Sequence, residues 1–105
     1  MKPEVFKFEG EEKYRRLIPG EPDTMGIKSG GVILRKGESV GEHSTGPKEE
    51  AIVVLEGEGE VICDGGIVLN AGKGAVIYVP PDTGHNVKNT GEGLLKYVYV
   101  VVPLT

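Results

Sequence analysis

EAIVVLEGEGEVICDGGIVLNAGKGAVIYVPP, residues Glu50–Pro81, holds four short apolar runs separated by glycine-rich breaks. Glu50–Glu56, Glu60–Cys63, Ile67–Leu69 and Ala75–Val79 are each too short for a stable helix and suit β-strands. Gly57-Glu58-Gly59, Asp64-Gly65-Gly66 and Asn70–Gly74 read as the turns between them, with Asp-Gly a strong hairpin signal. Pro80-Pro81 stops the last run. Working outward, Gly30–Lys36 reads as a strand before this stretch. After it come His85–Lys88 and the longest run, Leu94–Val102, which ends at Pro103. Eight or nine strands at roughly ten-residue spacing predict an all-β sandwich or barrel.

Composition agrees. The chain has 105 residues, 17 of them glycine, where average usage would give about seven. Glycine reaches positive φ without steric cost and weakens helices, so this excess fits many tight turns. The length suits one domain, residues 1–105, with an N-terminal extension over about 1–25 and a core over about 26–103. Within the extension, Val5-Phe6-Lys7-Phe8 hints at a short strand, and Glu11–Leu17 reads as one helical turn or none.

The net charge of −4 argues against a nucleic-acid partner, since phosphate binding needs a basic face. No apolar run is long enough to span a bilayer as a helix, and no membrane partner is expected. The N-terminal residues lack the apolar stretch of a secretory signal, and the single Cys63 excludes an intrachain disulfide. The expected location is cytoplasmic.

Phosphate-loop, HExxH, paired CxxC and GxSxG patterns are all missing. Histidine occurs twice, at His43 and His85, each beside a turn at the start of an expected strand. Two imidazoles and a carboxylate brought together from different strands make the facial ligand set of non-haem iron and related divalent metals. Alternation puts Glu50 with Ile52 and Val54, and His85 with Val87, so both face inward if their apolar companions do. An inward glutamate then needs a partner.

Gly37–Gly57 resembles the first cupin motif, G(X)5HXH(X)3,4E(X)6G, through Gly37, His43, Glu50 and Gly57. Gly74–Asn89 resembles the second, G(X)5PXG(X)2H(X)3N, through Gly74, Pro80, His85 and Asn89. The resemblance covers roughly residues 30–100. It departs at Thr45, which stands where the second histidine is usual, and at Asp82, which stands where the motif has glycine. It implies an antiparallel double-stranded β-helix, closed as a jelly-roll barrel. It also implies a divalent transition metal such as Fe, Mn, Zn or Ni, held by His43, Glu50 and His85. Thr45, Tyr97 and Tyr99 are then expected to contact a small-molecule ligand. The reaction types implied are dioxygenation, isomerisation or lyase chemistry. The alternative is a non-catalytic metabolite- or sugar-binding cupin without metal. Small proteins of this kind usually pair as homodimers, and strand addition by Val5–Phe8 offers a route.

Overall fold

Leu95–Pro103, the longest apolar run, forms the central strand of one sheet in a computed structural model that describes residues 1–104. The strands in chain order are β1 (Tyr14–Pro19), β2 (Lys28–Leu34), β3 (His43–Ser44), β4 (Lys48–Glu56), β5 (Gly59–Cys63), β6 (Ile67–Asn70), β7 (Val76–Val79), β8 (Gly84–Asn89) and β9 (Leu95–Pro103). One 3-10 turn at Asp64–Gly66 is the only helical element among the described residues. The five-stranded sheet has the order β1-β2-β9-β4-β7, and the four-stranded sheet β3-β8-β5-β6; every pairing is antiparallel.

The expected closed barrel is not what forms. The fold is an all-β double-stranded β-helix whose two sheets stay separate, with β1 and β7 as the edges of one and β3 and β6 as the edges of the other. A closed barrel needs a continuous hydrogen-bond ladder around its circumference. Here the chain changes sheet through Gly46-Pro47 between β3 and β4, and through Pro80-Pro81 between β7 and β8. Proline carries no N–H, so the ladder cannot run through these corners.

The region between the sheets is filled by alternate side chains. Val32, Leu34, Ile52, Val54, Ile77, Val79, Leu95 and Tyr97 come from one sheet and Val61 and Val87 from the other. Ile52, Leu34 and Leu95 are wholly buried, each contributing about 1.5–3 kcal/mol of burial free energy. The inward face of β9 is therefore the one carrying Tyr97, with Lys96, Val98 and Val100 on the other side.

The N-terminal expectations need revision. Val5–Phe8 forms no strand, and Val5 is exposed. Phe8 lies instead against Gly31 on the outer face, where a Cβ would fall 2.5 Å from its ring, and Lys96 sits 4.7 Å from the ring centroid. Glu11–Leu17, read as one helical turn or none, overlaps the edge strand β1, Tyr14–Pro19. Local sequence there is ambiguous, and pairing with β2 decides it. Gly30 answers a similar need on the inner face, because a Cβ would strike the ring of Tyr99.

Asn89 closes the far end of the core. Its amide donates to the carbonyls of Leu34 (2.9 Å) and Gly93 (2.8 Å), while its side-chain oxygen accepts from the Gly91 N–H. The side chain is fully buried. Asn89→Ala leaves these backbone groups without partners and is expected to cost about 3 kcal/mol, read as a lower midpoint in urea denaturation.

Candidate metal centre

Three strands from two sheets place the ligand set. His43 on β3 and His85 on β8 are direct partners in the four-stranded sheet. Glu50 on β4 faces them from the five-stranded sheet. It lies in the same inward row as Ile52 and Val54, as alternation requires. One ligand atom from each of His43, Glu50 and His85 lies within 4.8 Å of the others. The imidazole centroids are 4.2 Å apart and the ring planes tilt by 54°.

Both rings are oriented by the backbone two residues earlier. His43 Nδ1 donates to the Gly41 carbonyl (3.0 Å), and His85 Nδ1 donates to the Thr83 carbonyl (3.1 Å). A carbonyl oxygen only accepts, so each Nδ1 carries its proton and each neutral ring presents a lone pair at Nε2. This is the arrangement that orients metal-ligating histidines. His85 Nε2 is buried and has no hydrogen-bond partner. Its closest charged neighbour is Glu50 Oε1 at 3.6 Å, too far for a well-formed hydrogen bond. A lone pair facing a carboxylate in a buried space is repulsive unless a proton or a cation lies between them. The residues present therefore fit a divalent cation.

Without a metal, a proton takes that role. The Glu50 carboxylate facing Nε2 raises the His85 pKa above its ordinary value, and burial opposes it. The Thr83 carbonyl, the charge of Glu50 and Asp64 add to the rise.

Thr45 is buried behind the ligands and works on the turn that carries His85. Its hydroxyl donates to the Pro80 carbonyl (2.7 Å) and accepts from the Thr83 N–H (3.0 Å). Its backbone N–H donates to the Thr83 carbonyl, the group that also holds His85 Nδ1. Asp82 in the same turn has φ +51°, a left-handed conformation that glycine adopts freely and aspartate tolerates. This explains why aspartate can stand at a glycine position of the motif.

A cavity of about 410 Å³ opens over the site. Its apolar wall includes Val32, Val40 and Val87, and Tyr97 and Tyr99 line it alongside Thr45, His43 and Glu50. Burial, followed by the charge of Glu50, raises the pKa of both phenols, with Arg16 opposing this at Tyr99. Both hydroxyls are thus held protonated. Cys63, the register partner of His85, has a thiol pushed up by burial and then by Asp64.

Lys28, Lys48, Tyr14 and Glu42 also line the cavity, and sequence reading missed them. The signal was present for the lysines. Lys28 shares parity with Gly30 and Val32, and Lys48 with Glu50 and Ile52, but β2 and β4 begin two residues earlier than the apolar runs suggest.

The cupin-domain family model matches residues 31–102, and the chain belongs to the cupin family. A curated Streptomyces cyaneus protein named Polyketide synthase CurC is 37% identical over 87 residues, covering 79% of this chain and 55% of that protein. The chain thus spans about half the length of that curated relative. Among solved structures, an RmlC-like cupin-family protein of Methanocaldococcus jannaschii superposes with a TM-score of 0.81 at 20% identity, covering 98% of this chain and 93% of that one. The Cnp3 cupin domain of Schizosaccharomyces pombe does so with a TM-score of 0.78 at 19% identity, covering 90% and 67%. Both structures share the fold.

The two states of His85 give opposite pH behaviour. Its folded pKa is raised above 6.5, so in metal-free protein its contribution to stability is complete below that pH and is lost as pH rises through the folded value. Metal requires the neutral ring, so metal-conferred stability grows over the same rise. Thermal melts from pH 5.5 to 8.5, with chelator and with added Zn²⁺, should show the gap between the two curves widening as pH increases. Parallel curves would contradict a metal at His85.

Proposed function

We propose that this cupin binds a divalent transition metal at His43, Glu50 and His85, and acts as an enzyme on a small oxygen-bearing molecule held in the cavity above it. The observation that carries this reading is the buried, partnerless Nε2 of His85, set against Glu50 with its proton fixed on Nδ1. Three protein ligands leave coordination positions open to substrate or water. A bound metal would supply Lewis acidity to a substrate oxygen. The protein's own groups then bind and orient: the protonated hydroxyls of Tyr97 and Tyr99 donate to the ligand, and the valine wall excludes water.

Dioxygenation, isomerisation and lyase chemistry all fit such a site. The name of the Streptomyces cyaneus relative adds a polyketide as a substrate class. A polyketide carries closely spaced oxygens that a metal held by His43, Glu50 and His85 would polarise. A second reading, a binding protein without catalysis, is favoured by Thr45, whose hydroxyl is engaged with the turn and leaves the site one histidine short of the usual set.

The homodimer also remains part of the proposal, with a changed surface. Phe8 is engaged with its own sheet, whereas Val76, Tyr78 and Val102 are exposed on the outer face of the five-stranded sheet. Packing that face on a second copy would cover them.

Elemental analysis of protein purified without chelator or affinity-tag metal tests the main reading. One transition metal per chain is expected in the wild type and almost none in His85→Ala. Thr45→Val should weaken metal binding about 10–100-fold by loosening the turn behind His85, while Thr45→Ser retains it. A wild type that takes up no metal on titration would leave the metal-free binding protein as the better reading. In light scattering the wild type should be a dimer, and Tyr78→Lys a monomer.

A further inference from the structure

Lys28 and Lys48 both line the cavity, and each is half-buried at the first position of its strand. Strand register brings them to the same end of the site. Lys28 pairs with Val101, Val101 pairs on its other side with Glu50, and Lys48 lies two residues before Glu50 on the same face. The inner surface of the five-stranded sheet is thereby graded. Val32, Tyr97 and Val54 form one row, Gly30, Tyr99 and Ile52 the next, and Lys28, Val101 and Glu50 the third, with Lys48 beyond.

Among the described residues neither lysine makes an ion pair. Lysines of this kind lay their aliphatic stems along the sheet and leave the ammonium free to meet a ligand in the cavity. The only carboxylates lining the cavity are Glu42 and Glu50. They balance the two lysines in charge, and a divalent ion at His43, Glu50 and His85 would add positive charge to the cavity. The two lysines make one end of the cavity locally cationic, which favours an anionic group there over a neutral sugar.

We propose that Lys28 and Lys48 select the ligand: it carries a carboxylate at the lysine end, a neighbouring oxygen above His43, Glu50 and His85, and a planar apolar body between Tyr97, Tyr99 and the valine wall. This rests on the preceding reading of the cavity as a ligand site and narrows it to anionic molecules.

Salicylate and its neutral isostere salicylamide are suitable probes, since both place a hydroxyl beside the group that differs. Affinities are measured by calorimetry on the full chain, stripped with chelator and again after loading with Zn²⁺. Lys28→Met and Lys48→Met should each weaken salicylate about tenfold in both states and leave salicylamide unchanged, as expected for loss of a charge-assisted contact. Lys28→Arg and Lys48→Arg should retain binding, which separates lost charge from lost folding.

The proposal is overturned if the double methionine variant keeps wild-type salicylate affinity, if both probes weaken equally, or if salicylate fails to bind at millimolar concentration. Its failure is distinct from failure of the metal reading. Lysine-dependent salicylate binding by a protein that takes up no Zn²⁺ would remove the metal and keep the anion site. Zn²⁺ uptake with lysine-independent binding would do the reverse.

Discussion

Glu50 is a carboxylate held between two β-sheets, and a charge in that position must be neutralised. Much of the local architecture serves this requirement. β4 brings Glu50 inward in the same row as the core residues Ile52 and Val54, so it cannot turn to solvent without breaking the alternation that builds the core. The opposite sheet answers with His43 and His85, paired across β3 and β8. Both rings are turned by a backbone carbonyl so that Nε2 points away from the hydrogen-bonded edge. The result is a space that calls for positive charge, whether a proton on His85 or a metal among all three.

The separation of the sheets makes this arrangement possible. In a small closed barrel the interior is filled by side chains or one ligand, and every strand is tied to two neighbours. Here β3 is two residues long and is paired on one side only. Its short span leaves His43 exposed at the mouth while His85 lies deep, so the ligand set reaches from solvent to core. The cavity opens beside β3 and is bounded on the other side by the inner rows of β2, β9 and β4. The three candidate ligands thus sit on strands, whose positions are fixed by the core.

Strand positions were legible because the apolar runs are bounded by glycine and proline, and those residues act locally. The deeper face assignments also followed from parity, with Ile52, Val54 and Val87 buried as alternation implies. What escaped was decided by partners distant in sequence. β1 exists because β2 offers it an edge, and Phe8 is placed by the bare surface of Gly31. Closure into a barrel could not be read from strand count, since it depends on whether the ladder survives the corners at Gly46-Pro47 and Pro80-Pro81. The cavity lysines were hidden for a related reason. They extend strands β2 and β4 beyond the apolar residues that mark them in sequence.

Thr45 shows how a motif departure can be absorbed. A histidine at this position would offer a further ligand; threonine instead joins the chain before β4 to the turn before β8 through Pro80 and Thr83. The Thr83 carbonyl then receives both the Thr45 N–H and the His85 Nδ1–H, so the residue that stands in place of one motif histidine helps to aim another. Asp82 belongs to the same turn, and its N–H donates to the Gly46 carbonyl beside Thr45. The two departures from the motif pattern therefore lie in one hydrogen-bonded corner. With one histidine fewer than the motif, a metal held here would depend more heavily on the orientation of the residues that remain.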